Sequence, residues 1–258
     1  MLYNYKDIKG TPPEMNRPSE DVSIDGKWLT GWNESYLRVL YTSGRHGLSI
    51  QESDSGKIPG RDGGIVYARS LPTRKIIVGC SIKTKTSAEM TTFFSSLRAF
   101  CYRNMGLREI AFADDAEYRY FGRIVSISEP EPGKNNSKFE IAVSCPDPYR
   151  YGAEKTSSIQ EMLSDSAQKG VPYKLIRYVT TPSDATLIKN VTTAEKIALQ
   201  SAENSEITVD FIEARIYRGN VNITSRLAFE VSQFPEFIIC HGDSVSGTGK
   251  MTYRKRMM

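Results

Sequence analysis

The sequence predicts a mainly β protein of two domains: a β-rich N-terminal domain with one amphipathic helix (residues 1–150) and a C-terminal β-sandwich (residues 151–258). Three observations predict it. Long stretches alternate apolar and polar residues with period two, which is the pattern of strands with one face on a core. One segment, residues 86–103, changes to helical spacing. The run Pro146-Asp147-Pro148-Tyr149-Arg150-Tyr151-Gly152 combines two prolines with a glycine, which suits a linker or sharp corner.

In the first half, Ile76, Val78, Cys80 and Ile82 alternate with Lys75, Ile77, Gly79, Ser81 and Lys83. Phe139, Ile141, Val143 and Cys145 alternate in the same way. Further strand candidates are Tyr36–Tyr41, Leu48–Gln51, Ile65–Ala68, Glu109–Phe112 and Tyr118–Ile127. Asp114-Asp115-Ala116-Glu117 reads as a hairpin with acids at its tip, since Asp bonds its own backbone in turns. In the helix, Thr86 and Glu89 form a capping box. Met90, Phe93, Phe94, Leu97, Phe100 and Cys101 recur on one face, and Gly106 supplies a stop. Such an aromatic stripe is far more often a helix packed on a sheet than a ligand box.

Beyond the linker the strand candidates are short: Lys174–Thr180, Thr186–Lys189, Lys196–Gln200, Glu206–Asp210, Ala214–Tyr217, Glu236–Cys240 and Lys250–Arg254. Their regular spacing suggests a sandwich. Ser158 and Glu161 fit a second capping box, although residues 153–170 are polar and do not read as a clean first strand.

Composition narrows the function. The chain has 258 residues, 39% hydrophobic and 25% charged, with a formal net charge of +4. Residues 1–148 hold 20 basic and 18 acidic groups, residues 149–258 hold 14 and 12, so neither half is the basic domain of a nucleic-acid binder. The local excess at Lys250, Arg254, Lys255 and Arg256 reads as a solvated strand end. Cys80, Cys101, Cys145 and Cys240 form no C-x-x-C pair, which points to a reducing site of synthesis. No apolar run is long enough for a membrane span, and Met1–Gly10 has no signal-peptide core.

Catalytic patterns are not found. His46, in Ser43-Gly44-Arg45-His46-Gly47, and His241, before Gly242, stand without motif partners. Gly247-Thr248-Gly249-Lys250 imitates a phosphate loop but has Ser244 and Met251 where Gly and Ser or Thr are required, so a hairpin turn explains it better. Asp114 and Asp115, adjacent on a strand, would point to opposite faces rather than converge on one bond. No enzyme activity, cofactor or metal site is expected.

Ile58-Pro59-Gly60-Arg61-Asp62-Gly63-Gly64 is the most unusual loop, and with its surroundings it carries a resemblance. The loop precedes a strand, an alternating strand through Ile82, the helix, the hairpin Ile110–Asp115 with Tyr118 and Tyr120, and the closing Phe139–Tyr149. In that order, residues 25–152 resemble the N-terminal domain of siphophage distal tail proteins. Ser205–Asp210, Arg215–Asn220, Phe234–Phe237 and Gly242–Val245 are similar to the same family more loosely.

The resemblance implies a virion protein of the phage tail tip, or baseplate, made in the host cytoplasm. It implies a galectin-like C-terminal sandwich and an N-terminal domain that joins copies of itself into a hexameric ring. That ring would meet the major tail tube protein on one face and a tail-associated hub or fibre protein on the other. Receptor-binding or baseplate proteins would dock outside, and DNA would pass through the lumen without specific binding. The interface residues chosen are Gly60, Arg61, Asp62, Gly63, Gly64 and Val66. The alternative is a carbohydrate-binding module for host glycans. Against it, both tryptophans, Trp28 and Trp32, lie in the first half, and the second half offers only Tyr173, Tyr178, Tyr217 and Tyr253 as stacking rings.

Overall fold

The computed structural model describes residues 18–258 except 48, 58, 59, 61, 63, 104, 132, 133, 165–171, 233–235 and 241, with backbone alone for residues 34, 54–57 and 64–67. The chain is mainly β and divides into two compact units, one running through Arg150 and the other Tyr151–Met257.

The first unit comprises β1 (Val22–Ile24), β2 (Lys27–Trp28), β3 (Tyr36–Ser43), β4 (Gln51–Lys57), β5 (Gly64–Ser70), β6 (Arg74–Lys83), α1 (Ser87–Tyr102), β7 (Arg108–Phe112), β8 (Asp115–Ile127) and β9 (Asn136–Cys145), with β10 (Arg150–Tyr151) at its end. Antiparallel pairing runs β3-β6-β9-β8-β7-β1-β2. The thirteen-residue β8 makes this continuous, because its first part pairs with β7 and its last part with β9. Between β6 and β9 ten residue pairs run from Arg74↔Cys145 to Lys83↔Asn136 without a bulge.

That register puts Ile76, Val78, Cys80, Ile82, Phe139, Ile141 and Val143 on one buried face. Helix α1 covers it with Met90, Phe93, Phe94 and Leu97. The Phe94 and Phe139 rings meet edge-on at 5.0 Å, and Trp32 meets Phe93 at 5.8 Å. The expected cap is present in shifted form. Thr86 Oγ1 accepts from the Glu89 amide at 3.2 Å, while the Glu89 carboxylate accepts from the amide of Lys85, one residue before the cap. The helix ends at Tyr102, ahead of the expected stop at Gly106.

Three strands of this unit, β1, β2 and β4, were not legible as strands. β1 and β2 are only three and two residues long, too short to show a period. Their turn, Asp25-Gly26 with φ of 49° and 76°, carries the Asp-Gly signal that could have found them. β4 reads Gln-Glu-Ser-Asp-Ser-Gly-Lys and has no apolar period.

The second unit comprises β11 (Lys155–Ser158), α2 (Ile159–Ser164), β12 (Tyr173–Thr180), β13 (Thr186–Asn190), β14 (Lys196–Ala198), β15 (Ile207–Asp210), β16 (Arg215–Arg218), β17 (Val221–Asn222), β18 (Ile238–Ile239), β19 (Val245–Ser246) and β20 (Gly249–Met257). The larger sheet runs β17-β16-β15-β12-β20, with β11 on β20 and β18 on β12; the smaller runs β14-β13-β19. Leu175, Tyr178, Val209, Ile216 and Met251 from the larger sheet share one buried cluster with Leu187, Ile188 and Ile197 from the smaller, so the unit is a sandwich. The polar segment after the linker does contain a strand, β11, held by pairing with β20 rather than by an apolar face. Ser158 and Glu161 then make a reciprocal cap for α2, and the Ser158 amide and hydroxyl hold the Glu161 carboxyl below its usual range.

Gly247–Lys250 is not a hairpin turn as expected. β19 belongs to the small sheet and β20 to the large one, so the glycines mark a crossing between sheets. A Cβ at Gly249 would lie 2.3 Å from the carbonyl oxygen of Val179, and one at Gly247 would lie 2.7 Å from the Tyr178 hydroxyl.

Leu97→Ala should lower the stability of the first unit by about 3 kcal/mol, and Thr86→Ala by about 1 kcal/mol. Urea titration followed by tryptophan fluorescence checks both, because Trp28 and Trp32 report the first unit alone.

Candidate functional site

β4 and β5 pair only with each other, forming a two-stranded sheet apart from the main one. Bulges at Ser53/Asp54 and Asp54/Lys57 interrupt the ladder. Gln51, Glu52, Ser53, Ala68, Arg69 and Ser70 are exposed, and Glu52 pairs with Arg69 at 2.8 Å on the surface. An isolated two-stranded ribbon is marginal in water. This arm therefore has little stability of its own.

Of the six chosen interface residues, the four that are described fall at the turn of this arm and the start of β5. Gly60 lies in the turn with φ of 80°, and Asp62 is exposed. Gly64 opens β5 opposite Lys57, and Val66 pairs with Asp54. Arg61 and Gly63 lie outside the described residues.

The root of the arm is built from arginines, which sequence reading missed. Before the arm, the chain turns at Gly44 with φ of 85°, where a Cβ would come 2.0 Å from the Lys75 carbonyl oxygen. After the arm, Arg74 opens β6. Its Nη1 donates to the carbonyls of Gly44, Arg45 and Gly47 at 2.9, 2.8 and 3.1 Å, and its Nε donates to that of Pro148 at 2.7 Å. One guanidinium, with donors in a rigid fork, thus joins the segment before the arm to the strand after it.

Arg45 fixes the same turn from inside. It is buried, has its Cζ 3.9 Å from the centre of the Phe112 ring, and holds Asp114 through two bonds of 2.7 and 3.1 Å. Its carbonyl also accepts from the Tyr120 hydroxyl at 3.3 Å. Burial pushes the Tyr120 phenol up, against the pull of Arg74, Arg150 and Arg45. Asp115 takes a different arginine, Arg150, whose guanidinium lies 5.1 Å from the Tyr118 ring. The adjacent acids do diverge as expected. They are not simply a solvated tip, however, because each holds an arginine brought from elsewhere in the chain.

A second surface is an open groove of about 630 Å³ at the end of α1, lined by Cys101, Tyr102, Met105, Val125 and Ile127. Tyr102 is 75% exposed, Met105 71% and Val125 60%. Exposed apolar side chains clustered in this way mark contact surfaces more often than scattered ones do.

The remaining candidates are not drawn together. His46 is exposed in the Gly44–Gly47 turn, and His241 lies outside the described residues. Among the described residues no three His, Cys, Asp or Glu side chains are grouped to hold a metal ion. Burial raises the thiols of Cys80 to about 12 and of Cys145 and Cys101 to about 11. Cys240 is exposed.

Residues 38–145 match the family model of the phage tail protein RIFT-related domain. The distal tail protein of Bacillus phage SPP1 is 28% identical over 139 residues, 54% of this chain and 53% of that protein, so the match spans about half of the curated relative. The crystal structure of the SPP1 distal tail protein, a paradigm of the hub adsorption apparatus in phages infecting Gram-positive bacteria, superposes with a TM-score of 0.68 at 18% identity, covering 92% of this chain and 99% of that one. A chain of the phage P2 baseplate in its activated conformation with Ca superposes at 0.52 and 11% identity, covering 93% and 98%. The resemblance to siphophage distal tail proteins thus holds in both sequence and fold.

Gly44→Ala should cost about 2 kcal/mol and loosen the arm, seen as faster tryptic cleavage between Lys57 and Arg69. At pH 8 a thiol reagent should modify Cys240 first, with Cys80 and Cys145 reacting only as the protein unfolds. Burst modification of Cys80 in the folded protein would contradict its burial.

Proposed function

We propose that this chain, a relative of siphophage distal tail proteins in sequence and fold, is a structural protein of a phage tail tip whose first unit joins copies of itself into a closed ring. The observation that carries the reading is the tail-domain match over residues 38–145, which contains both the arm and its clamp. A cyclic ring needs heterologous interfaces, two different patches on each subunit that meet when the rotation closes. The first unit offers two such patches: the arm, tipped by Gly60–Val66, and the apolar groove of Tyr102, Met105 and Val125. A ribbon with little stability of its own gains most from pairing with a neighbour.

A sixfold ring is the expected closure. It would continue the tail tube, leaving a lumen for DNA, with the tail tube protein on one side and a hub protein on the other. The second unit, in this reading a galectin-like sandwich, would serve as an outer docking platform. Glycan recognition is less well supported. Tyr173, Tyr178 and Tyr253 are buried in the sandwich core, and Tyr217 is half-buried and donates to Glu213 at 2.7 Å, so none of the four presents an open stacking face.

Light scattering over a concentration series, with negative-stain images of the largest species, tests the ring. The expected result is a species near six chain masses with a central hole. Met105→Lys with Val125→Lys should shift that species to monomer without changing the urea midpoint. A wild-type monomer at every concentration would remove self-assembly as an intrinsic property.

A further inference from the structure

Two links join the root of the arm to residues 146–150, the last of the first unit, which lead into the second. The first link is Arg74. Its Nη1 holds the carbonyls of Gly44, Arg45 and Gly47 on the approach to the arm, while its Nε holds the carbonyl of Pro148. The second link runs through the corner between β7 and β8. There Asp114 takes the guanidinium of Arg45, and the next residue, Asp115, takes that of Arg150. Arg45 belongs to both links, offering its carbonyl to one and its guanidinium to the other. Tyr120 lies at the same place. Its hydroxyl donates to the Arg45 carbonyl, and its ring is 5.7 Å from the Arg74 guanidinium.

We infer that these links couple the arm to the exit segment, so that a change imposed on the arm's root is transmitted to residues 146–150, and the reverse. A guanidinium is planar, and its Nε and Nη donors point in fixed directions relative to one another. If the turn at residues 44–47 moves, Arg74 cannot follow it and keep its bond to Pro148 unless Pro148 moves as well. The turn has little slack of its own, because Gly44 has a φ of 85° and presses on the Lys75 carbonyl, and Arg45 is buried against Phe112. Opening one link alone strands hydrogen-bonding groups that the other still holds in place, which is costly. The arm supplies the movable end, since β4 and β5 pair only with each other. Its local opening is of lower free energy than unfolding of the main sheet. Coupling of this kind is reciprocal: whatever orders the arm orders the exit segment by the same factor. The inference goes beyond the tail-tip reading and concerns a single chain, so it stands or fails whether or not a ring forms.

The test is residue-resolved amide hydrogen exchange on the full chain. Gly44→Ala, which strains the root, should speed exchange at residues 51–53 and 68–70 of the arm and, with them, at Tyr149 and Arg150, each by about tenfold. With both links cut, by Arg74→Gln and Asp115→Asn, the same Gly44→Ala change should still speed the arm but alter Tyr149 and Arg150 by less than about twofold. If the doubly cut protein fails to fold, Arg74→Lys alone, which keeps the charge and loses the fork, should reduce the transmitted effect at Tyr149 by about threefold or more. From the other side, Arg150→Gln should quicken tryptic cleavage of the arm at Arg69 by about fivefold. The Thr84 amide, bonded to the Asn135 carbonyl at the far end of β6, is the control and should not respond to any of these changes. Leu97→Ala separates coupling from general loosening, because it weakens the core and should leave local exchange at the arm and at Tyr149 unchanged. An exit segment that ignores Gly44→Ala, one that still follows it after both links are cut, or equal acceleration at Thr84 would each overturn the inference.

Discussion

The ten-residue register between β6 and β9 is the constraint on which the first unit depends. Because side chains on a strand alternate with period two, a slip of one residue would move every side chain of the slipped strand to the other face. Held as it is, the pairing sends Ile76, Val78, Cys80, Phe139 and Ile141 inward to meet α1 and sends Lys75, Lys83 and Lys138 outward. It also places Arg74 at one end of β6, where its guanidinium reaches the turn that precedes the arm. Core and clamp both follow from one alignment.

Much of this fold was legible because burial on one face leaves a periodic trace. β6, β9 and α1 are long and one-sided, and their residues could be read almost to the ends. Elements held by other forces left no such trace. β4 has no apolar alternation in its sequence to record, β11 is secured by backbone pairing to β20, and β1 and β2 are shorter than one full period of evidence. The glycines of Gly247–Gly249 were read as turn formers, but they answer to steric crowding by Tyr178 and Val179, residues about seventy positions away in the chain.

The candidate surfaces were less legible than the fold, for the same reason in stronger form. The loop from Gly60 to Val66 stood out by composition, yet what anchors it is a set of arginines whose partners are carbonyls and carboxylates distant in sequence. Arg45 meets Asp114, Arg74 meets Pro148, and Arg150 meets Asp115. Long-range pairs of this kind leave no local pattern.

The clamp at Arg74 has a consequence for how this protein can diverge. Everything between Gly47 and Arg74 leaves and re-enters the sheet through a closed gate, so the core does not register how long that excursion is. Adding residues to a loop already closed costs little, about 0.6 kcal/mol for each doubling of length, while each residue added to both strands extends the arm by about 3.3 Å. The arm is therefore the part of the first unit where insertions and deletions can accumulate through descent, and where a foreign peptide can be grafted, without a compensating change in the sheet that bears it.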